Sequence, residues 1–379
     1  MIELTDIQNQ IQQTFRDFAE KKVKPVAAKI DEEKKFPTDL FKQVGDLGFY
    51  GMRYPESAGG SGLDIVSYSL AVIELAKGSL SLAAACTMQS LMGTYFLYRF
   101  GDDEIKQKYF SEALKGNKIG AICMTEPNAG SDLMAIKTIA KITEDGFILN
   151  GQKTWVTSAP VADFFTVLAR TDPDSNRGEQ LSIFFVPSNL KGVMVGKSIE
   201  KMGVRGSVTS EVGFVDVHLP KNYLLGEIGG GTKCLKEILA EIRIMTAALA
   251  IGVATVAYEE AIEYAKTRVQ FGKPIGKFQA IQMKFADMAV QLEMAKHYTL
   301  YAATLSDKNL PRHKESMIAK LYASEIANNI CDEASRVLAS YGYAVEYNIE
   351  RYLRDARFTL IGGGTSEILK INIAKELGL

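Results

Sequence analysis

The chain has 379 residues, with 44 Lys plus Arg against 45 Asp plus Glu and a formal net charge of -1, so it carries no basic field with which to hold nucleic acid. Hydrophobic residues at 47% and charged residues at 23% are the balance of a globular chain and exclude disorder as its dominant state. The length is about two and a half times the ~150-residue prior for one domain, which allows two or three coupled layers.

In chain order, the first segment carries charges of both signs and lacks the basic-then-apolar pattern of a secretory leader. From Thr5 to about Lys115 the apolar spacing is helical: Ile7, Ile11, Phe15, Phe18 and Ala19 recur at three- and four-residue intervals, with Thr5 or Asp6 as N-cap. Breaks fall at Pro37, where Thr38 and Asp39 can start the next helix, and at Pro55-Glu56-Ser57-Ala58-Gly59-Gly60-Ser61-Gly62. From about Ile119 to Leu224 the grammar changes to short β-rich runs (AICMT, FILNGQKTWVTS, FFTVLAR, LSIFFVP, GVMVGKS, EVGFVDVHLP) at the spacing of an antiparallel sandwich or barrel. The 3.6-residue period then returns, with helices expected at about Thr232–Arg268, Gln279–Leu305, Arg312–Tyr341 and Ser366–Leu377, packed as a bundle. The expectation is an α+β protein of three domains: 1–117 helical, 118–225 β and 226–379 a four-helix bundle.

Cys86, Cys123, Cys234 and Cys331 stand singly, and the only histidines are His218, His297 and His313. Buried thiols in a reducing, cytoplasmic setting are expected, with no metal site. No run reaches ~18 uninterrupted apolar residues, so no membrane span is expected. Two glycine triplets stand out. Gly229-Gly230-Gly231-Thr232-Lys233 lacks the spacing of a phosphate loop. Gly362-Gly363-Gly364-Thr365-Ser366-Glu367 precedes the terminal helix, where Thr365 or Ser366 caps it and free N–H groups can face an anion or a developing oxyanion. A plain capping loop is the alternative.

Six spaced segments, taken together, resemble the acyl-CoA dehydrogenase family along essentially the whole chain: the Pro55–Gly62 loop, Met124-Thr125-Glu126-Pro127-Asn128-Ala129-Gly130-Ser131-Asp132, Asn150-Gly151-Gln152-Lys153-Thr154-Trp155-Val156-Thr157, Arg268-Val269-Gln270-Phe271-Gly272-Lys273-Pro274-Ile275, Arg354-Asp355-Ala356-Arg357 and Gly364-Thr365-Ser366-Glu367-Ile368. The resemblance implies non-covalent FAD. Met124, Thr125 and Ser131 would line the isoalloxazine, Trp155 would pack on it and Thr157 would reach its N5 region. Arg268, Phe271 and Gln279 would hold the pyrophosphate and adenosine across a subunit interface, in a homodimer or homotetramer. Thr365 is placed with the cofactor set, and Arg336 stands where the family carries a glutamine yet can still pair with the pyrophosphate.

Two departures bear on the reaction. The family's base is a glutamate directly before the Gly-Thr-Ser, usually after a tyrosine; here those positions are Gly363 and Gly362. Some members carry it on the long helix before an arginine matching Arg243, and that position is Ile242. Glu241 is one residue away, turned by ~100° on a helix, and is the low-ranked alternative base. The resemblance also implies that the Gly363 N–H, together with a flavin ribityl hydroxyl, would hold the thioester carbonyl, with Ser131, Arg243 and Gly362 beside the substrate. Loss of a positioned base costs ~10²–10⁴-fold, so the expectation is a flavin-dependent oxidoreductase acting on an acyl thioester whose oxidation needs no strong carbon base. A hydroxyacyl or aminoacyl group on an acyl carrier protein, used in polyketide extender-unit biosynthesis, suits this chemistry. The alternatives are a conventional short- or medium-chain dehydrogenase with a relocated base, a flavin-dependent oxygenase, a catalytically inactive flavin-binding homologue, and a helical scaffold without flavin. CoA and carrier protein are not separated by these residues, nor are electron-transfer flavoprotein and O2 as electron acceptor.

Overall fold

A computed structural model describes residues 3–171 and 180–379. Helices come first, a β domain follows, and helices close the chain. The opening helix, Asp6–Phe18, starts at a capping box in which Thr5 and Gln8 satisfy each other's backbone N–H. The helix Ile65–Gly78, capped by Asp64, is buried almost throughout, which suits a segment apolar on all sides. The Pro55–Gly62 loop turns sharply back on itself. A Cβ on Gly60 would stand 2.1 Å from the Tyr54 carbonyl oxygen, so only glycine fits that approach.

The middle domain is built from β1 (Gly120–Cys123), β2 (Ile139–Ile142), β3 (Gly146–Thr157), β4 (Phe164–Arg170), β5 (Leu181–Pro187), β6 (Val193–Ser198), β7 (Thr209–Pro220) and β8 (Leu224–Leu225). The sheet order is β6-β7-β3-β2-β4-β5-β8, with β1 pairing β4. Most pairs are antiparallel, as the turn spacing predicts, but β1 runs parallel to β4. The weakly alternating β2 and the two-residue β8 add two strands to the six expected runs. This sheet has its own core, including Phe147, Phe165, Phe184 and Phe214.

The closing helices run over Gly231–Thr267, Gln279–Asp307, His313–Leu338 and Ser366–Glu376, within a few residues of the expected bounds, and a further helix, Ile349–Ala356, joins them. The long first helix is of a length and composition that would cross a bilayer, but its apolar stretch is mostly buried inside the protein, which makes it a core helix. One continuous core links these helices to the N-terminal ones. All four cysteines are buried and unpaired.

Candidate active site

The segment after β1 is fixed from below by a buried ion pair. Lys153 on β3, fully buried, donates through Nζ to the Met124 carbonyl at 3.0 Å and to Glu126 Oε1 at 2.9 Å. Glu126 also accepts the backbone N–H groups of Lys137 at 2.6 Å and Thr138 at 2.9 Å. Burial works against its charge, but these hydrogen bonds and Lys153 outweigh it and hold the carboxyl below its ordinary value. The Thr154 N–H reaches the Thr125 carbonyl at 2.9 Å. Met124, Thr125 and the end of β3 are therefore one rigid unit. The two motifs contain this lysine and glutamate, and only the fold reveals that they pair.

Where β3 leaves that unit its register with β7 slips between Lys153 and Val156. Trp155 sits in the slip with φ +57, and its ring is 58% exposed. A bulge re-aims a side chain, and here it opens the only indole of the chain to solvent. Thr157, two residues on, pairs with Thr209 of β7 and is half-buried. Ser131 is exposed on the neighbouring turn. An open aromatic face beside rigid backbone suits a planar heterocycle.

The loop before the terminal helix meets the long helix. A Cβ on Gly363 would lie 3.0 Å from Thr246 Oγ1 and 3.8 Å from Ile242 Cγ2. The two positions at which a glutamate base is absent thus face each other, and both are apolar. Gly363 has φ +73, and among the described residues its N–H donates to nothing. Thr365 caps the terminal helix by accepting the Ile368 N–H at 3.3 Å. Lys320, fully buried on the His313–Leu338 helix, ties down the loop by donating to the carbonyls of Gly364 at 2.7 Å and Leu360 at 3.2 Å. Burial lowers its pKa to about 8.

Arg243 follows Ile242 on the long helix. It is 4% exposed, and its Nε and Nη1 have no partner among the described residues. Burial pushes it down to about 10. Glu241 instead makes a buried ion pair with Arg53, whose guanidinium stacks 5.4 Å from the Tyr54 ring and 5.5 Å from the Tyr95 ring. Its carboxylate is thus engaged away from the Gly363 side, and the Arg53 partnership is one the sequence gives no sign of.

Arg268, Phe271 and Gln279 lie at the far end of the long helix. Arg268 follows its last residue, so at ~1.5 Å per residue it stands about 37 Å from Arg243. Its guanidinium sits 5.5 Å over the Tyr341 ring and makes no ion pair among the described residues. Phe271 is 94% exposed at φ +50. Arg336 is exposed and bonds Asp332 at 2.7 Å.

The family pattern for the acyl-CoA dehydrogenase N-terminal domain matches residues 5–117, that for the middle domain residues 121–217, and that for the C-terminal domain residues 229–378. This chain belongs to the acyl-CoA dehydrogenase family. It is 55% identical over 376 residues to benzylmalonyl-CoA dehydrogenase of Aromatoleum aromaticum, covering 99% of each chain. Among solved structures it resembles butyryl-CoA dehydrogenase from Megasphaera elsdenii, with TM-score 0.96, 37% identity and 100% of both chains covered. It also resembles the prolyl acyl carrier protein oxidase AnaB, with TM-score 0.95, 33% identity and full coverage of both. The protein is accordingly an FAD-dependent oxidoreductase, and an open indole face at Trp155 and a guanidinium at Arg268 without an ion pair among the described residues are compatible with a flavin ring and a diphosphate.

Proposed function

We propose that this dehydrogenase oxidises the α,β bond of a 2-carboxyacyl-CoA thioester, a malonyl-type substrate, with CO2 rather than a proton leaving Cα. The observation that carries this reading is the pairing of Gly363 with Ile242, two vacant base positions that face each other beside a free backbone N–H. Removal of an α-proton needs a positioned base. A carboxylate on Cα removes that need, because breaking its C–C bond leaves the same electron pair on Cα. FAD, when bound, would supply the acceptor for the hydride that leaves Cβ. The electron pair then forms the α,β double bond, so the products are a 2-enoyl thioester and CO2, and no proton has to be taken up by the protein. Charge that develops on the thioester oxygen during C–C cleavage falls to the Gly363 N–H, a donor already in place. The 55% identity to a benzylmalonyl-CoA dehydrogenase supports a carboxylated, aryl-bearing acyl group.

FAD reaching between subunits also belongs to this reading. Met124, Thr125, Trp155 and Thr157 serve the ring of one protomer, and Arg268, Phe271 and Gln279 serve the diphosphate and adenosine of its partner's cofactor. The ~37 Å between Arg243 and Arg268 supports that split, as does the bare Phe271 ring. The carrier-bound hydroxyacyl or aminoacyl reading is kept as a second one on the likeness to AnaB.

Anaerobic mixing with benzylmalonyl-CoA, 3-phenylpropionyl-CoA and a prolyl-loaded carrier protein separates the readings. Flavin bleaching with cinnamoyl-CoA and CO2 as products is expected from the first alone. Bleaching by the carrier-linked prolyl group alone would replace this proposal with the second reading.

A further inference from the structure

We infer that Arg243 is the residue that grips the substrate's α-carboxylate, and so makes the site selective for 2-carboxyacyl over plain acyl thioesters. This rests on the malonyl-type reading above. The first observation is the cost of the side chain as it stands. A guanidinium that is 4% exposed, with Nε and Nη1 unpartnered among the described residues, is a desolvated charge without compensation, an arrangement proteins keep where a counter-charge arrives from outside. Among the described residues no carboxylate pairs with it, and burial lowers its pKa.

The second observation is position. Arg243 lies between Ile242 and Thr246, the two side chains that the missing Gly363 side chain would touch, and on a helix residues three apart share a face. It is therefore within one turn of the point where the thioester oxygen would meet the Gly363 N–H. In a malonyl thioester the carboxylate carbon is two bonds from the carbonyl carbon, so an oxygen held at Gly363 brings the carboxylate to this stretch of helix. The third observation is the sign of the surroundings. Lys320, locked to the Gly364 and Leu360 carbonyls, adds a second positive charge close enough for Arg243 to act on it, while Glu325 accepts a hydrogen bond from Ser366 Oγ at 2.6 Å. Each idle N–H of this guanidinium can donate a charge-assisted hydrogen bond to a carboxylate oxygen.

An ion pair to the carboxylate holds the ground state, and its partner charge drains away as CO2 departs. Arg243 is therefore a positioning and specificity residue whose loss raises KM without lowering kcat, whereas loss of the Gly363 N–H contact lowers kcat. Holoenzyme is titrated with malonyl-CoA and acetyl-CoA, neither of which has a Cβ hydrogen to lose as hydride, so the difference between them isolates the carboxylate. Wild type is expected to bind malonyl-CoA roughly 10- to 100-fold more tightly, the range of a hydrogen bond to a charged group. Arg243→Gln should abolish that preference and raise the benzylmalonyl-CoA KM by a similar factor without lowering kcat. Arg243→Lys should restore part of the preference. If wild type shows no preference, the 2-carboxyacyl reading fails and the inference with it. If wild type has the preference and Arg243→Gln keeps it, the reading stands and Arg243 is the wrong residue. Should the glutamine variant not fold, an undiminished preference in Arg243→Lys overturns the assignment equally.

Discussion

Installing a carboxylate base should turn this enzyme toward substrates that carry no carboxylate, and the structure ranks the two places where it can go. At Gly363 the backbone is left-handed, φ +73, which costs a residue with a Cβ about 1–2 kcal/mol, and the new Cβ would press on Thr246 Oγ1 at 3.0 Å. That hydroxyl is itself committed to the Ile242 carbonyl at 2.8 Å, so it does not yield freely. Ile242 lies in regular helix, where a glutamate meets no backbone strain, and its side chain already reaches within 3.8 Å of the Gly363 Cβ direction. Its replacement forfeits at most ~1.5–3 kcal/mol of apolar burial, partly offset by Arg243 next to it. We expect Ile242→Glu to raise anaerobic flavin reduction by 3-phenylpropionyl-CoA by ~10²–10⁴-fold, the usual worth of a positioned base. Gly363→Glu should gain about tenfold less, in proportion to its strain. Both should slow benzylmalonyl-CoA turnover, because a second carboxylate beside the substrate's own repels it. Fast wild-type reduction by 3-phenylpropionyl-CoA, with no gain from either variant, would refute the reasoning and return attention to Glu241.

Glu126→Gln should lower unfolding stability by about 3–5 kcal/mol in a denaturant titration, because it leaves the Lys153 charge buried alone. Its folded pKa lies below the ordinary value, so the stability it contributes is present above the unfolded carboxyl range and should fade as pH falls through the folded value. Asp355 behaves oppositely: burial raises its pKa to about 6 from 3.8, with the Val204 N–H opposing. It favours the folded state at low pH, and its contribution is lost as pH rises from about 4 to 6; Asp355→Asn should flatten that slope by on the order of 2–3 kcal/mol, read by denaturation at stepped pH. Arg268→Ala should release FAD and weaken the oligomer together, followed by absorbance and light scattering; flavin loss with assembly intact would place the diphosphate within one subunit.

The parts of the fold that were legible in the sequence are those whose signal is local. The long helices follow from apolar spacing over many turns, and Thr5 announces its capping box within three residues. The short helix Ile349–Ala356 has helical apolar spacing at Ile349, Tyr352, Leu353 and Ala356, but it runs for only eight residues and its last ones read as a separate motif. The parallel β1–β4 pair is a contact across more than forty residues, which no turn signal encodes. At the site, the Trp155 and Thr125 segments stand out as motifs, and Gly363 and Ile242 stand out by what they lack. Their facing each other, the Arg53 engagement of Glu241 and the solitude of the Arg243 guanidinium depend on packing between elements far apart in the chain.

On this mechanism C–C cleavage at Cα replaces proton abstraction. That replacement is tested most directly by following wild-type holoenzyme with benzylmalonyl-CoA under anaerobic conditions while CO2 and flavin reduction are measured together. One CO2 per flavin reduced, cinnamoyl-CoA as the thioester product and near inertness toward 3-phenylpropionyl-CoA are the predicted result. Flavin reduction that yields a product still bearing its carboxylate, or equal rates on the two substrates, would contradict it.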